Sequence, residues 1–140
     1  SRGEVIETNA LLNALEDGLI SDAIIDVWEN EPDINLTLLN RVFLGTPHIA
    51  GYSADGKANA TRMSLDALCR FFHIKADYRI ALPQPRSPII TADSLAEAYL
   101  QMYDPRRDSE ALKTHPEQFE KLRGDYPLRR EKDAYIYIPK

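Results

Sequence analysis

Three kinds of side chain that could handle a small organic acid lie in the first third of the sequence. Arg2 carries a guanidinium that can hold a carboxylate through two parallel hydrogen bonds. A carboxylate, Glu29 or Glu31, follows one apolar segment, and His48 follows the next one. An imidazole paired with a carboxylate can take up and release a proton near neutral pH. This set would suit the interconversion of a 2-hydroxy acid and a 2-oxo acid, with a nicotinamide accepting the hydride.

Each of these residues also has an ordinary structural interpretation. Arg2 could be solvated, Glu31 could be a loop carboxylate before Pro32, and His48 could be a structural histidine. A metal centre is disfavoured, because His48, His73 and His115 lie far apart and no thiol is near any of them. The residue types alone therefore permit acid–base chemistry without establishing it, and we expect no metal.

The first half of the chain has the pattern of an α/β fold. Residues 8 to 17 are expected to form a helix that Thr8 caps and Gly18 ends. Apolar segments at 23–28 and 41–45, separated by a polar loop, suit parallel strands that are buried on both faces. Ligands bind beyond the carboxyl ends of such strands, which is where the carboxylates and His48 lie.

The second half predicts a long helix and a smaller α+β unit. The helix covers about residues 55 to 72, with an apolar face formed by Met63, Leu65, Leu68, Phe71 and Phe72. Prolines make residues 77 to 92 a connector. A helix capped by Asp93, short helices at 106–113 and 116–123, and a terminal strand at 134–138 follow. So short a tail needs a further surface to pack on.

Charge and composition exclude several function classes. The net charge of −5 disfavours nucleic acid, and the run Arg129, Arg130, Lys132 is interpreted as a solvated face. No apolar stretch is long enough to span a membrane. With a single cysteine and no signal peptide, the cytoplasm is the expected compartment. Because the chain begins at Ser1, we also expect a fragment of a longer protein.

Three segments together resemble the D-2-hydroxyacid dehydrogenase family. Ser1-Arg2-Gly3 with the helix that follows is similar to its arginine loop, and Ile25 to Pro32 to its aspartate–glutamate–proline stretch. Thr46 to Gly51 is similar to its histidine loop. The three motifs occur in the family's order and cover about residues 1 to 75.

The resemblance implies a fold and a division of the chain. Residues 1–52 would be the C-terminal part of a Rossmann-like NAD-binding domain, and residues 53–76 a helix returning to the substrate domain. Residues 77–140 would be a proline-rich connector and a small α+β dimerisation domain, which implies a homodimer.

The resemblance also implies site roles. Arg2, Glu31 and His48 would be catalytic, with Arg2 on the substrate carboxylate, His48 moving the proton and Glu31 orienting it. Asp26 would contact the nicotinamide carboxamide of NAD, and Ser1, Arg2 and Gly51 would also lie against the cofactor. Arg2 and Tyr52 would bind a small phosphorylated hydroxy-acid substrate.

Alternatives remain open at this point. The enzyme could act on glycerate, glyoxylate or phosphoglycerate, or the chain could be a nucleotide-sensing co-repressor or only an assembly module. No Gly-x-Gly-x-x-Gly loop occurs in the sequence, so most of a dinucleotide site is missing. We therefore expect the 140-residue chain alone not to transfer hydride.

Overall fold

The computed structural model describes residues 1–140 and divides the chain into two compact units. One unit comprises residues 1–50 and 104–126, and the other comprises residues 51–103 and 127–140. The helices are α1 (Thr8–Glu16), α2 (Leu36–Arg41), α3 (Ala54–Phe71), α4 (Leu95–Met102), α5 (Pro105–Thr114) and α6 (Phe119–Gly124), and the strands are β1 (Ile24–Ile25), β2 (Leu44–Gly45), β3 (Ile89–Ala92) and β4 (Ile136–Pro139). Helices combined with parallel strand pairs confirm the mixed α/β character that the sequence predicts. None of the helices has the length and apolar character that crossing a membrane requires.

Helix α1 begins and ends close to the predicted positions, but its cap is a different residue. Glu7, not Thr8, accepts hydrogen bonds from the backbone N–H groups of Asn9 and Ala10. As the N-cap, Glu7 satisfies the N–H groups of the second and third helical residues, whereas a cap at Thr8 would have served those one position later. Gly18 follows the helix with a φ of 70°, the left-handed conformation expected there.

The two strands of the first unit pair in parallel, with Ile24 beside Leu44 and Ile25 beside Gly45. They are shorter than predicted, and the expected burial on both faces is wrong for Ile24, which is 69% exposed. The segment predicted as a polar loop contains α2, which Asn35 caps by accepting from the Leu38 N–H. Only six residues long, α2 is too short to show a helical period in the sequence.

Residues 104–126 complete the core of the first unit. Leu112 of α5 and Phe119 of α6 are fully buried in one cluster with side chains from residues 15–42. Ser109 accepts a hydrogen bond from the Gly45 N–H through its Oγ, and the Lys113 ammonium donates to the Val42 carbonyl. Residues 104–126 lie within the segment 77–140 that the resemblance assigns to a C-terminal domain, and they pack here with residues 1–50.

The second unit is built from α3, α4 and the β3–β4 pair. The strands are parallel, with Ile89 beside Ile136, and Ile90, Ala92 and Ala98 form a small buried core. Strand β3 lies at the end of the predicted connector, and Ser94, not Asp93, caps α4 by accepting from the Glu97 N–H. No residue of α3 is buried, and Phe71 on its predicted apolar face is 77% exposed.

The interpretation of the basic run as solvated is wrong for Arg130, which is only 9% exposed. Its guanidinium donates to both carboxylate oxygens of Asp55 at 2.9 and 3.0 Å and also to the Pro83 carbonyl. The Glu131 N–H donates to Asp55 as well, and Ser53 Oγ donates to the Glu131 carboxylate. These contacts attach residues 129–131 to the start of α3. Because Asp55 is 75 residues away from Arg130, the local pattern of mixed charge does not indicate that this cation is buried.

The Asp55–Arg130 pair predicts a pH-dependent contribution to stability. Hydrogen bonds from Arg130 hold the pKa of the Asp55 carboxyl below its usual 3.8, so the contribution is present above that pH. It is lost as the pH falls through the folded-state pKa. Asp55→Asn should therefore destabilise the protein by about 2 kcal/mol at neutral pH, and by much less in acid. Thermal unfolding of both proteins over this pH range measures the difference.

Asp93→Asn is the matched control. Asp93 is exposed, and its carboxylate lies as far as 3.9 Å from its cationic partner, the Lys140 ammonium. Its effect should stay within about 0.5 kcal/mol at every pH. A constant Asp55→Asn deficit from neutral to acidic pH would contradict the assigned role of the ion pair.

Candidate functional site

The polar residues singled out by the sequence follow the two paired strands of the first unit. The Leu44 N–H donates to the Ala23 carbonyl and the Thr46 N–H donates to the Ile25 carbonyl, which aligns the strand ends. Because parallel strands run in the same direction, residues 26–31 and 46–50 both follow the carboxyl ends of the two strands and lie at the same end of the sheet. This alignment brings the carboxylates and the imidazole together.

Glu31 and His48 form the central pair of the site. His48 Nδ1 lies 2.8 Å from Glu31 Oε2, with the two side chains only 19% and 17% exposed. The other oxygen, Glu31 Oε1, accepts from the Trp28 N–H at 2.8 Å. An ionised carboxylate can only accept, so the neutral imidazole carries its proton on Nδ1 and presents a lone pair at Nε2. That arrangement can take a proton at Nε2 and stabilise the resulting charge.

The alternative carboxylate, Glu29, has a different partner. Its Oε2 accepts from the Thr8 N–H at 2.7 Å. Hydrogen bonding by Thr8, through its side chain and then its backbone, lowers the pKa of the Glu29 carboxyl. Of the two carboxylates left open by the sequence, Glu31 is therefore the one that lies against His48.

Asp26 binds the loop that carries His48. One oxygen accepts from Thr46 Oγ1 at 2.7 Å and from the Ile49 N–H at 2.8 Å, and the other accepts from the Ala50 N–H at 3.0 Å. His48 itself has a φ of 55°, a left-handed conformation that costs a non-glycine residue about 1–2 kcal/mol. The three hydrogen bonds to Asp26 hold the loop in this conformation.

Arg2 lies at a small cavity that Asp26 also lines. Ser1, Arg2, Gly3 and Asp26 are among the residues lining a cavity of about 160 Å³, and Glu31 and His48 are not. Gly3 fixes the approach of this segment, because a Cβ there would be 1.9 Å from the Trp28 carbonyl oxygen. Asp26 thus lines the cavity and also binds the loop of His48.

Gly51 and Tyr52 belong to the second unit and open the segment that leads into α3. The Lys57 ammonium lies 4.4 Å from the centroid of the Tyr52 ring. Ser53 caps α3, accepting from the Gly56 N–H at 2.8 Å. A phenol with a cation over its ring, close in sequence to a helix start, is a polar group suited to an anion.

Two residues of this site were missed by reasoning from the sequence. The Thr46 hydroxyl donates a hydrogen bond to Asp26, and the Trp28 indole Nε1–H donates to the Thr46 carbonyl at 2.9 Å. A hydroxyl residue at the end of a strand, two positions before a histidine, is a signal that could have indicated the first. Trp28 resembles an ordinary core residue in sequence. No three His, Cys, Asp or Glu side chains are grouped as a metal site would need.

Comparison with known proteins gives two family matches within the chain. Residues 1–50 match the NAD-binding domain of D-isomer specific 2-hydroxyacid dehydrogenases. Residues 84–138 match a domain of unknown function. The first match contains all three residues predicted to be catalytic, and the second lies within the predicted C-terminal domain.

Curated relatives extend the similarity across the whole chain. A Bacteroides fragilis protein named erythronate-4-phosphate dehydrogenase is 70% identical over 138 residues, which cover 99% of the chain and 40% of the relative. Proteins of the same name from Bacteroides thetaiotaomicron (69% identical, 99% of the chain, 40% of the relative) and Porphyromonas gingivalis (40% identical, 98%, 39%) also match. The chain spans about 40% of the length of these relatives. The matches confirm the resemblance to D-2-hydroxyacid dehydrogenases that the motifs predict.

The contact of Gly3 with the Trp28 carbonyl predicts a strict requirement for glycine. Gly3→Ala would place a methyl group inside the peptide of Trp28, so the Arg2 segment must move away. We expect a loss of about 1–3 kcal/mol in the free energy of unfolding, measured by denaturant titration, with shifted amide resonances at Trp28 and Glu29.

Gly124→Ala is the control from the same unit. Gly124 ends α6 and has no atom within 4 Å of an added Cβ, so alanine should leave stability unchanged or raise it slightly. Equal effects of the two substitutions would show that the close approach of Gly3 is not what matters.

Proposed function

We propose that this chain carries the acid–base part of the active site of an NAD-dependent D-2-hydroxyacid dehydrogenase. The full-length protein would oxidise 4-phospho-D-erythronate to 2-oxo-3-hydroxy-4-phosphobutanoate, a step in pyridoxal 5'-phosphate (vitamin B6) biosynthesis. The observation that carries the proposal is the 2.8 Å contact between His48 and Glu31 at a shared strand end. The names of relatives up to 70% identical support the choice of substrate.

In the proposed reaction, His48 Nε2 takes the proton from the C2 hydroxyl while the C–O bond becomes a carbonyl. The carboxylate of Glu31, held by the Trp28 N–H, keeps the ring oriented and stabilises the imidazolium that forms. Arg2 binds the substrate carboxylate with a bidentate pair of hydrogen bonds and polarises the neighbouring oxygen. This division matches the chemistry of a 2-hydroxy acid, in which a carboxylate must be anchored beside the reacting carbon.

The residues at the cavity fit one end of NAD, which supplies a hydride acceptor when bound. A cavity of about 160 Å³ is close to the roughly 150 Å³ that accommodates a benzene ring in other proteins. Asp26 accepts three hydrogen bonds, and a carboxylate can accept about four, so capacity remains for a carboxamide N–H. Ser1, Arg2 and Gly51 would complete the contacts. The pyrophosphate would be bound by residues outside these 140, in the Rossmann-like part of the domain.

Tyr52 would bind the phosphorylated end of the substrate. The Lys57 ammonium over its ring adds positive charge at this residue, which favours a phosphate over an uncharged group. We assign the preference for a phosphorylated acid to this pair, together with residues outside the chain.

We further propose that residues 1–52 are the end of the NAD-binding domain, residues 53–76 the returning helix and residues 77–140 the dimerisation domain of a homodimer. One family model covers residues 84–138, which supports the proposal that most of the last part is a single domain. The β3–β4 pair leaves Ile89, Ile136 and Ile138 exposed, which supports a role in association.

The experiment that tests the function is NAD-linked oxidation by full-length protein, followed by NADH absorbance. 4-Phospho-D-erythronate should give the highest kcat/KM, above D-glycerate and 3-phosphoglycerate. Preference for either of the latter would replace the substrate assignment and keep the enzyme class. Nucleotide binding without oxidation of any hydroxy acid would instead favour the co-repressor alternative.

Two substitutions separate the roles of His48 and Arg2. His48→Gln in the full-length protein should lower kcat by about 10²–10⁴-fold, because the general base is lost. Arg2→Lys keeps the charge but loses the bidentate geometry, so it should act mainly by raising KM. Steady-state kinetics with substrate and NAD varied in turn measure both effects. A His48→Gln enzyme with unchanged kcat would remove the acid–base assignment.

The homodimer is tested by a point substitution rather than by deletion. Removing residues 77–140 would take away Leu112 and Phe119 and open the first unit's core, so loss of assembly could not be interpreted. Ile136→Glu, at a side chain 62% exposed, should convert the full-length dimer to a monomer in light scattering. The control Leu19→Glu, at an exposed loop of the first unit, should remain dimeric. A dimeric Ile136→Glu protein would exclude this surface.

A further inference from the structure

One residue contacts the segments of both partners in the acid–base pair. Trp28 is the only tryptophan of the chain and is 4% exposed. Its backbone N–H donates to Glu31 Oε1 at 2.8 Å, and its indole Nε1–H donates to the Thr46 carbonyl at 2.9 Å. The same carbonyl accepts from the backbone N–H of His48 at 3.0 Å. Both lone pairs of the Thr46 carbonyl oxygen therefore accept a hydrogen bond, one from the indole and one from the His48 N–H.

We propose that Trp28 is a positioning residue for the His48–Glu31 pair, an inference that rests on the proposed function of that pair. The backbone of Trp28 orients the carboxylate. Its indole binds the Thr46 carbonyl. That carbonyl also accepts from the backbone N–H of His48, which is in a left-handed conformation. One residue, through its backbone and its indole, thereby couples the two strand ends that must stay in register for His48 Nδ1 and Glu31 Oε2 to remain in contact.

The surroundings of Trp28 aim the indole N–H at this carbonyl. A Cβ at Gly45 would lie 2.8 Å from Cζ2 and 2.9 Å from Cη2 of the ring, so the ring packs directly on the glycine backbone. On the other side Trp28 belongs to the buried cluster of the first unit, with Leu38 and Leu39. The ring cannot turn without leaving this packing, and its donor therefore has a fixed direction.

Asp26 does not duplicate this role. It binds the hydroxyl of Thr46 and the backbone of Ile49 and Ala50, on either side of His48. The indole alone reaches the carbonyl that accepts from His48 itself. Phenylalanine at position 28 would fill most of the same space but would leave that carbonyl with a single donor.

The test is the tautomer of the His48 ring, which a purely structural role would not change. The chain is labelled with ¹⁵N-histidine and measured at a pH at which free imidazole is neutral. The ¹⁵N chemical shifts of the two ring nitrogens then give the ratio of the Nδ1–H form to the Nε2–H form. Wild type should be mainly Nδ1–H. Trp28→Phe should lower the ratio by about threefold or more, the effect of one neutral hydrogen bond.

A second replacement guards against loss of folding. Because the chain has one tryptophan, replacing all tryptophan by 3-benzothienylalanine changes only position 28 and substitutes sulfur for the N–H in a ring of nearly the same shape. It should lower the ratio as Trp28→Phe does. Phe119→Leu, at a fully buried ring of the same cluster with no contact to the pair, should lower Tm and leave the ratio unchanged.

A wild-type ratio in both indole replacements would overturn the proposal, whatever their melting temperatures. A lowered ratio in Phe119→Leu would also overturn it, since any core defect would then suffice. The measurement needs neither NAD nor substrate. A tautomer shift in a protein whose full-length form oxidises no hydroxy acid would keep the positioning role and reject the proposed function.

Discussion

Parallel pairing of two very short strands is the constraint on which the site depends. Only two residues of each strand are in register, and the N–H groups of Leu44 and Thr46 donate backbone hydrogen bonds across the pair. Such a pair is weak by itself, because an isolated two-stranded ladder is marginal in water. Side chains therefore hold the strand ends together: Asp26 from one strand end to the other, and Trp28 from the core. The polar network around the proposed acid–base pair therefore also stabilises the ends of the two strands.

The sequence indicates the proximity of Glu31 and His48 better than it predicts the fold around them. Glu31 and His48 could be singled out because their chemistry and their place after apolar segments agree, and Gly18 because only a left-handed residue suits its position. In contrast, α2 is a six-residue helix whose stability comes from burying Leu38 and Leu39, so no local periodicity indicates it. Trp28 and Arg130 were missed for one reason. Their partners, Thr46 and Asp55, are distant in sequence, and only tertiary structure pairs them.

The two units differ in how completely their apolar surface is covered. In the first, side chains from residues 15–42 close around Leu112 and Phe119. In the second, the buried core consists of Ile90, Ala92 and Ala98, and no residue of α3 is buried although four large apolar residues lie along it. Amphipathic pattern predicted that helix correctly, because the pattern reports which face could be buried. It does not report what covers that face.

The contact between Ser109 and Gly45 has a consequence for aggregation. The N–H groups of Leu44 and Thr46 face β1, so the Gly45 N–H points to the opposite edge of β2, and there it donates to the Ser109 hydroxyl. The Lys113 ammonium occupies the Val42 carbonyl beside it. Exposed strand edges recruit other chains by offering unpaired backbone groups, and proteins commonly block them with charge or with a covering helix. Helix α5 does both here, so a foreign strand that approached the strand preceding His48 would find the Gly45 N–H and the Val42 carbonyl already bonded.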